Sequence, residues 1–260
     1  MTLFCVSDVH SYLSPLKEAL DEAGFDPSNE NHYLVSLGDL FDRGPESEEL
    51  FQYIMSLERK ILIKGNHDSL LENLCKRKFP YSHDFSNGTV KTVNDLGGGY
   101  EQYSFEQCCE NTLNRTVVYR ELLINYLETK KYIFVHSWIP LMCLDNLPNH
   151  YVKNRKFEYV SDWRNAPQDS WDTAMWGNPF ELAEQGFNQT GKTIVFGHWH
   201  CSTGWAKAKG KSEFGEDAKW EPYVDKEHKI VAIDRCTAHT GKVNIFVVKD
   251  NFINKEGILL

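Results

Sequence analysis

Seven short apolar runs rich in Val, Ile and Phe, at about residues 2–6, 33–37, 61–63, 132–135, 193–196, 230–233 and 243–248, punctuate the chain. Their length and β-branched character predict strands. The strongest constraint on the fold is the way five of them stop. FCVSDVH ends in Asp8 and His10, LVSLGD in Asp39, ILIKGNHD in Asn66, His67 and Asp68, YIFVHSW in His136, and TIVFGHWH in His198 and His200. Carboxylates and imidazoles are costly to bury unless they are paired or bound. Five strands that stop on such groups therefore imply one shared location. Open α/β sheets provide it, because ligands bind in the crevice beyond the C-terminal ends of their strands.

Helical periodicity fills several of the gaps. Pro15–Ala23 carries Leu16, Ala19 and Leu20 with Gly24 as a stop, Pro45–Leu57 carries Leu50, Phe51, Ile54 and Met55, and Ser69–Arg77 carries Leu70, Leu71 and Leu74. Between about 104 and 129, Val118, Leu122 and Tyr126 recur every fourth residue and predict a further helix. Strands alternating with helices give an α/β class. With 260 residues, 41% of them hydrophobic, and no linker or repeat, the chain is expected to form one domain over 1–260. A helical insert at about 79–130 is expected to shape access to the site.

The net charge of −9 and the lack of a basic stripe argue against a nucleic-acid partner. The runs Lys76-Arg77-Lys78 and Lys207/Lys209/Lys211 read as solvated surface. No run approaches the roughly 18 apolar residues of a membrane span. The start MTLFCVSDVH meets acid and histidine too early for a signal peptide, so a soluble, cytoplasmic protein without a membrane partner is expected. Seven cysteines without a CxxC read as reduced thiols. Oligomeric state is left open.

The donors at the strand ends are Asp8, His10, Asp39, Asn66, His136, His198 and His200. Carboxylate, carboxamide oxygen and imidazole without thiolate suit Mn²⁺, Fe or Zn²⁺ and not a structural zinc. The set is too large for one tetrahedral ion but fits two divalent ions about 3.5–4 Å apart sharing one carboxylate. Such a pair lowers the pKa of a shared water and binds phosphoryl oxygens during in-line displacement. His239, shortly after KIVAID, is a further candidate for the pocket lining.

Asp8-Val9-His10, the run Gly38–Gly44 (GDLFDRG), Gly65-Asn66-His67-Asp68, Val135-His136 and Gly197-His198-Trp199-His200 resemble, in this order, the motifs of calcineurin-like metallophosphoesterases. Within that superfamily the arginine-bearing GDLFDRG run is most similar to the phosphoprotein phosphatases, including small bacterial and phage enzymes and the related diadenosine tetraphosphatases. The resemblance implies a four-layer αββα fold, a β-sandwich flanked by helices. It implies that Asp8 and His10 hold the first metal, that Asp39 bridges, and that Asn66, His136 and His198 hold the second, with Mn the first choice of ion. His67 is then the leaving-group acid, oriented by Asp42, and Arg43 binds phosphate. His200 is more typical of the broader superfamily, and Asp68 stands where the protein phosphatases commonly carry Glu. Met175–Pro179 (MWGNP) resembles a family segment near the substrate, and Arg164 is a candidate second phosphate ligand.

The expected reaction is hydrolysis of a phosphomonoester by a hydroxide bridging the two metals, with a phosphoserine- or phosphothreonine-protein as first substrate. The alternative is a dinucleoside polyphosphate or other nucleotide, because Trp138 and Trp199 stand beside ligand histidines where an indole can stack a base. A nuclease is disfavoured by the acidity. An inactive metal-binding module is disfavoured by the full ligand set with His67.

Overall fold

In β1 (Thr2–Val6), Leu3 and Cys5 are buried on one face and Phe4 and Val6 on the other. A strand apolar on both faces needs a layer on each side. The same alternation recurs in β2 (His32–Ser36), where Tyr33 and Val35 oppose Leu34, and in the later strands at 132–135 and 193–196. The computed structural model, which describes residues 1–144 and 156–251, supplies those layers.

After β1 come α1 (Leu13–Glu22), β2, α2 (Ser47–Ser56), β3 (Lys60–Ile63) and α3 (Asn66–Arg77). Four helices follow, α4 (Ser82–Ser86), α5 (Thr89–Gly97), α6 (Phe105–Arg115) and α7 (Val117–Glu121), and then β4 (Leu123–Ile124), β5 (Tyr126–Glu128) and β6 (Tyr132–Val135). The remainder holds β7 (Leu141–Cys143), β8 (Phe157–Tyr159), α8 (Gln168–Ala174), α9 (Pro179–Glu184), β9 (Thr193–Phe196), α10 (Cys201–Lys209), β10 (Tyr223–Asp225), β11 (Ile230–Ala232), α11 (Thr237–Thr240) and β12 (Phe246–Lys249).

Two five-stranded sheets result, in the orders β12-β1-β2-β3-β4 and β10-β11-β9-β6-β5. The inner strands of each are parallel: β1 to β4 in the first, β11, β9 and β6 in the second. Antiparallel strands close the edges of both sheets, except at β4. Leu3, Val35, Ile61, Phe134, Val195 and Val231 form the core between the sheets. Helices α1, α2, α3, α5 and α6 cover the outer face of the first sheet, where Phe4, Leu34 and Leu62 meet Leu16, Leu50 and Leu74. On the second sheet, Ile133, Ile194 and Phe196 meet Trp171 and Phe180. The result is the αββα arrangement. Among the described residues no helix is long and apolar enough to cross a membrane.

Two element boundaries differ from the sequence reading. Helix α3 begins at Asn66, not Ser69, because the Asp68 carboxylate accepts the Gly65 N–H at 2.8 Å and caps the first turn. Asn66 and His67 therefore sit on a helix N-terminus. The expected helix over 104–129 is instead α6, α7, β4 and β5. Val118 and Leu122 are 52% and 42% exposed, and Tyr126 is buried on a strand, so their spacing was no helical face.

Phe134 is fully buried between the sheets. Phe134→Ala is expected to cost about 3–5 kcal/mol of unfolding free energy, read from the urea midpoint at unchanged m-value.

Candidate metal centre and cleft

The parallel strands of both sheets end at the same edge, and the loops that leave them are tightly turned. Asp8 (φ 52°), His10 (51°), Asp39 (53°), Asp42 (77°), Arg43 (64°) and His198 (61°) all adopt left-handed backbone conformations. Each such residue costs roughly 1–3 kcal/mol, so the surroundings must impose it. Loop-to-loop hydrogen bonds do so: Asp8 N donates to Gly38 O (3.2 Å), His10 N to Asp39 O (3.1 Å), Gly44 N to His10 O (2.9 Å) and Gly197 N to His136 O (2.9 Å). A Cβ on Gly65 would overlap the Asp39 carboxylate, and one on Gly197 would overlap the Ser7 hydroxyl and Asp8. Close approach, not chain flexibility, is what these two glycines provide.

Asp39 lies at the centre. Its carboxylate shares one group of donor atoms with His10 and His67 and another with His136 and His198, every atom within 4.8 Å of the others in its group. Burial pushes the Asp39 pKa up, but the facing His136, His67, His10 and His198 outweigh it and hold the carboxyl below its ordinary range. Burial, reinforced by His136, drives His198 down to about 3, and burial likewise lowers His10. The carboxylate is thus charged and these two rings are neutral.

The ring orientations are those of ligands. His10 Nδ1 donates to Phe41 O (2.9 Å), and His136 Nδ1 donates to Leu37 O (2.7 Å). A neutral ring bonded in this way carries its lone pair on Nε2. His136 Nε2 faces Asn66 Oδ1 at 2.8 Å and Asp39 Oδ2 at 3.5 Å, and His10 Nε2 faces Asp8 Oδ1 at 3.9 Å. Lone pairs converge on oxygens that cannot donate, an arrangement that a shared cation satisfies, with the backbone carbonyl fixing each tautomer. The donor set fits divalent metals on that ground. Asp8 is adjacent to the first group while its Oδ2 accepts from Ser7 Oγ and from His198 N (2.9 Å).

His200 stands outside both groups. Its Nδ1 donates to Glu213 Oε1 at 2.7 Å, and its Nε2 lies 3.9 Å from the buried Asp234. The metal-ligand reading of His200 is therefore not met in this conformation, because carboxylates from later loops hold the ring. His67 Nδ1 donates to Asp42 Oδ2 at 2.7 Å, and its Nε2 points toward Asp39 Oδ2 (3.9 Å) and Arg43 Nη2 (3.5 Å). Arg43 is exposed and forms no salt bridge among the described residues.

These groups open on a cleft of about 360 Å³ whose walls include Leu70, Asn87, Trp176 and Trp199. Three expectations fail here. Trp138 is 1% exposed and packs in the core behind the second sheet, so it cannot stack a substrate. Arg164 lines a separate, larger cavity of about 600 Å³ and is held by both Glu128 oxygens (2.8 and 2.7 Å). His239 is exposed and packs on Phe214 and Trp220 instead of lining the cleft. The wall that the sequence reading missed is Trp176, within the MWGNP segment it had noted, whose ring meets His198 edge-on at 5.8 Å.

The family model for calcineurin-like phosphoesterases matches residues 1–202. The chain belongs to that family. That family implies phosphoester hydrolysis with divalent metal ions, and the buried His and Asp groups around Asp39 could hold them. A symmetrical bis(5'-nucleosyl)-tetraphosphatase of Thioalkalivibrio sulfidiphilus is 41% identical over 69 residues, 26% of this chain and 25% of that protein. Its namesake from Pseudomonas fluorescens SBW25 is 42% identical over 69 residues, 26% and 24% of the two chains. These matches span about a quarter of the relatives' length. Among solved structures, the cold-active protein-tyrosine phosphatase of a Shewanella species superposes with a TM-score of 0.52 at 14% identity, covering 95% of this chain and 75% of that one. At that identity the likeness concerns the fold alone.

The central place of Asp39 generates a metal-content prediction. Wild type is expected to rebind about two divalent ions per chain, and Asp39→Ala to lose both together, measured by elemental analysis after dialysis against Mn²⁺. Full occupancy in the variant would remove Asp39 from the shared position.

Proposed function

We propose that this phosphoesterase hydrolyses a nucleotide polyphosphate, of the dinucleoside polyphosphate class, at a two-metal centre built on Asp8, His10, Asp39, Asn66, His136 and His198. The observation that carries the reading is the cleft: buried metal donors, the exposed Arg43 guanidinium and two indoles, Trp176 and Trp199, line the same space. A phosphate beside an aromatic wall is the shape of a nucleotide site, since a base can stack where its phosphates are held. The names borne by the tetraphosphatase relatives point the same way.

Two divalent cations, when bound, supply Lewis acidity to activate water and positive charge against the phosphoryl oxygens. The protein's own groups complete the chemistry. Arg43 presents a planar fork of donors to a phosphate oxygen pair, with no carboxylate among the described residues competing for it. His67 is held by Asp42 with its Nε2 toward Asp39 and Arg43, where it can give a proton to the departing oxygen. His200, with Glu213 and Asp234, also lines the cleft. The local cations and Arg43 make the overall charge of −9 unimportant for an anionic substrate.

A second reading, hydrolysis of phosphoserine or phosphothreonine in a protein, is favoured by the exposure of Arg43 at an open cleft. A substrate panel separates the two. With Mn²⁺ supplied, diadenosine tetraphosphate is expected to give the highest kcat/KM among dinucleoside polyphosphates, mononucleotides, phosphopeptides and a phosphodiester. Trp176→Ala is expected to raise KM for the nucleotide about tenfold, a loss of stacking worth roughly 1–1.5 kcal/mol, and to leave phosphopeptide KM much less affected. Faster turnover of phosphopeptides, insensitive to Trp176, would replace the first reading by the second.

A further inference from the structure

Asp42 has no solvent exposure, yet His67 satisfies only part of its carboxylate. The rest is taken by helix α5, some fifty residues away in sequence. Thr89 Oγ1 donates to Asp42 Oδ2 at 2.7 Å, the same oxygen that His67 uses. Thr92 Oγ1 donates to Oδ1 at 2.7 Å and in turn accepts the Asp42 N–H at 3.2 Å. Both threonines are fully buried. Spaced three apart, they lie on one face of the helix, in its first turn, where the helix dipole also favours an anion. Lys91 Nζ reaches Pro45 O at 3.3 Å, and Asn87 lines the cleft, so this helix start grips the whole Asp42–Pro45 turn.

We propose that Thr89 and Thr92 are positioning residues for proton transfer: they lock the Asp42 carboxylate in the rotamer that aims His67, and thereby couple helix α5 to the chemistry of the cleft. The inference rests on the reading of His67 as proton donor. Asp42 sits at a left-handed φ of 77° on a strained turn, so its side chain has no regular element of its own to hold it. Threonine at both positions is the feature to explain. Valine has nearly the same shape and would pack equally well, but it would leave each carboxylate oxygen short of a donor in a place that water does not reach. With one oxygen bonded only by His67, the carboxylate can rotate about χ2, and the imidazole follows it.

The test compares wild type, Thr89→Val/Thr92→Val, Thr89→Ser/Thr92→Ser and His67→Asn on aryl and alkyl phosphomonoesters of rising leaving-group pKa. Metal content and thermal midpoint are measured in parallel. Good leaving groups need little protonation and poor ones need a great deal. The valine pair is expected to lose about 10- to 100-fold in kcat on alkyl esters and at least several-fold less on nitrophenyl phosphate, with metal content retained. The serine pair, which keeps both hydroxyls, is expected to recover most of the loss. In the Zn²⁺-loaded protein, the downfield Nδ1–H signal of His67 is expected to broaden by exchange in the valine pair and to be sharp in the serine pair.

A valine deficit that is flat across the series, that comes with loss of metal, or that serine does not relieve would overturn the proposal. If His67→Asn shows the leaving-group dependence and the valine pair does not, this inference alone falls. If His67→Asn is itself flat, the proton-donor reading falls and takes this inference with it. Should the double variant fail to fold, Thr89→Val alone carries the same comparison, because Thr89 shares Oδ2 with His67.

Discussion

A single buried carboxylate sets the terms for the rest of the molecule. Asp39 is almost without solvent exposure and has four imidazoles, His10, His67, His136 and His198, around it. A charged carboxylate in such a place is tolerable only if positive charge or strong donors are close. Asp39 and those imidazoles come from five different strand ends, three in one sheet and two in the other. Both sheets must therefore be parallel where they meet the site and must end at the same edge. The sandwich is the scaffold that lets residues 190 positions apart, Asp8 and His198, share a hydrogen bond.

Holding the site this way imposes strain, and the strain lies where the chemistry is. Asp8, His10, Asp39, Asp42, Arg43 and His198 at the strand ends are in left-handed conformations, and the glycines between them leave no room for a side chain. The offset comes from the three apolar layers, in which nearly every residue of β1, β2, β3, β6, β9 and β11 is buried on one face or the other. Stability and reactivity are in this sense built on opposite ends of the same strands. The helical layer is part of the site as well as of the core, because α3 carries Asn66 and His67 on its first turn and α5 reaches Asp42 through two hydroxyls.

Much of this was legible in the chain itself. An apolar run that stops on Asp, Asn or His is a local pattern, and its repetition at residues 8, 39, 66, 136 and 198 pointed to a metal centre before any contact was known. Three kinds of residue were not legible. Trp138 and Trp176 are both tryptophans near a site motif, and only packing shows that the first faces the core and the second the cleft. His200 follows His198 by two residues, yet Glu213 and Asp234 decide where its ring points. Thr89 and Thr92 belong to a segment that reads as an ordinary helix, and nothing local marks them as partners of Asp42.

The sequence by itself determined the strand-and-helix alternation and the donor types that collect at the strand ends. Those follow from periodicity and side-chain chemistry, which act within a few residues of each other. Tertiary structure alone decided which indole walls the cleft, which histidine turns away from the donor groups and which hydroxyls hold the Asp42 carboxylate. Each of those outcomes depends on the direction of a side chain relative to a partner dozens of residues distant, and that direction exists only once the sheets have packed.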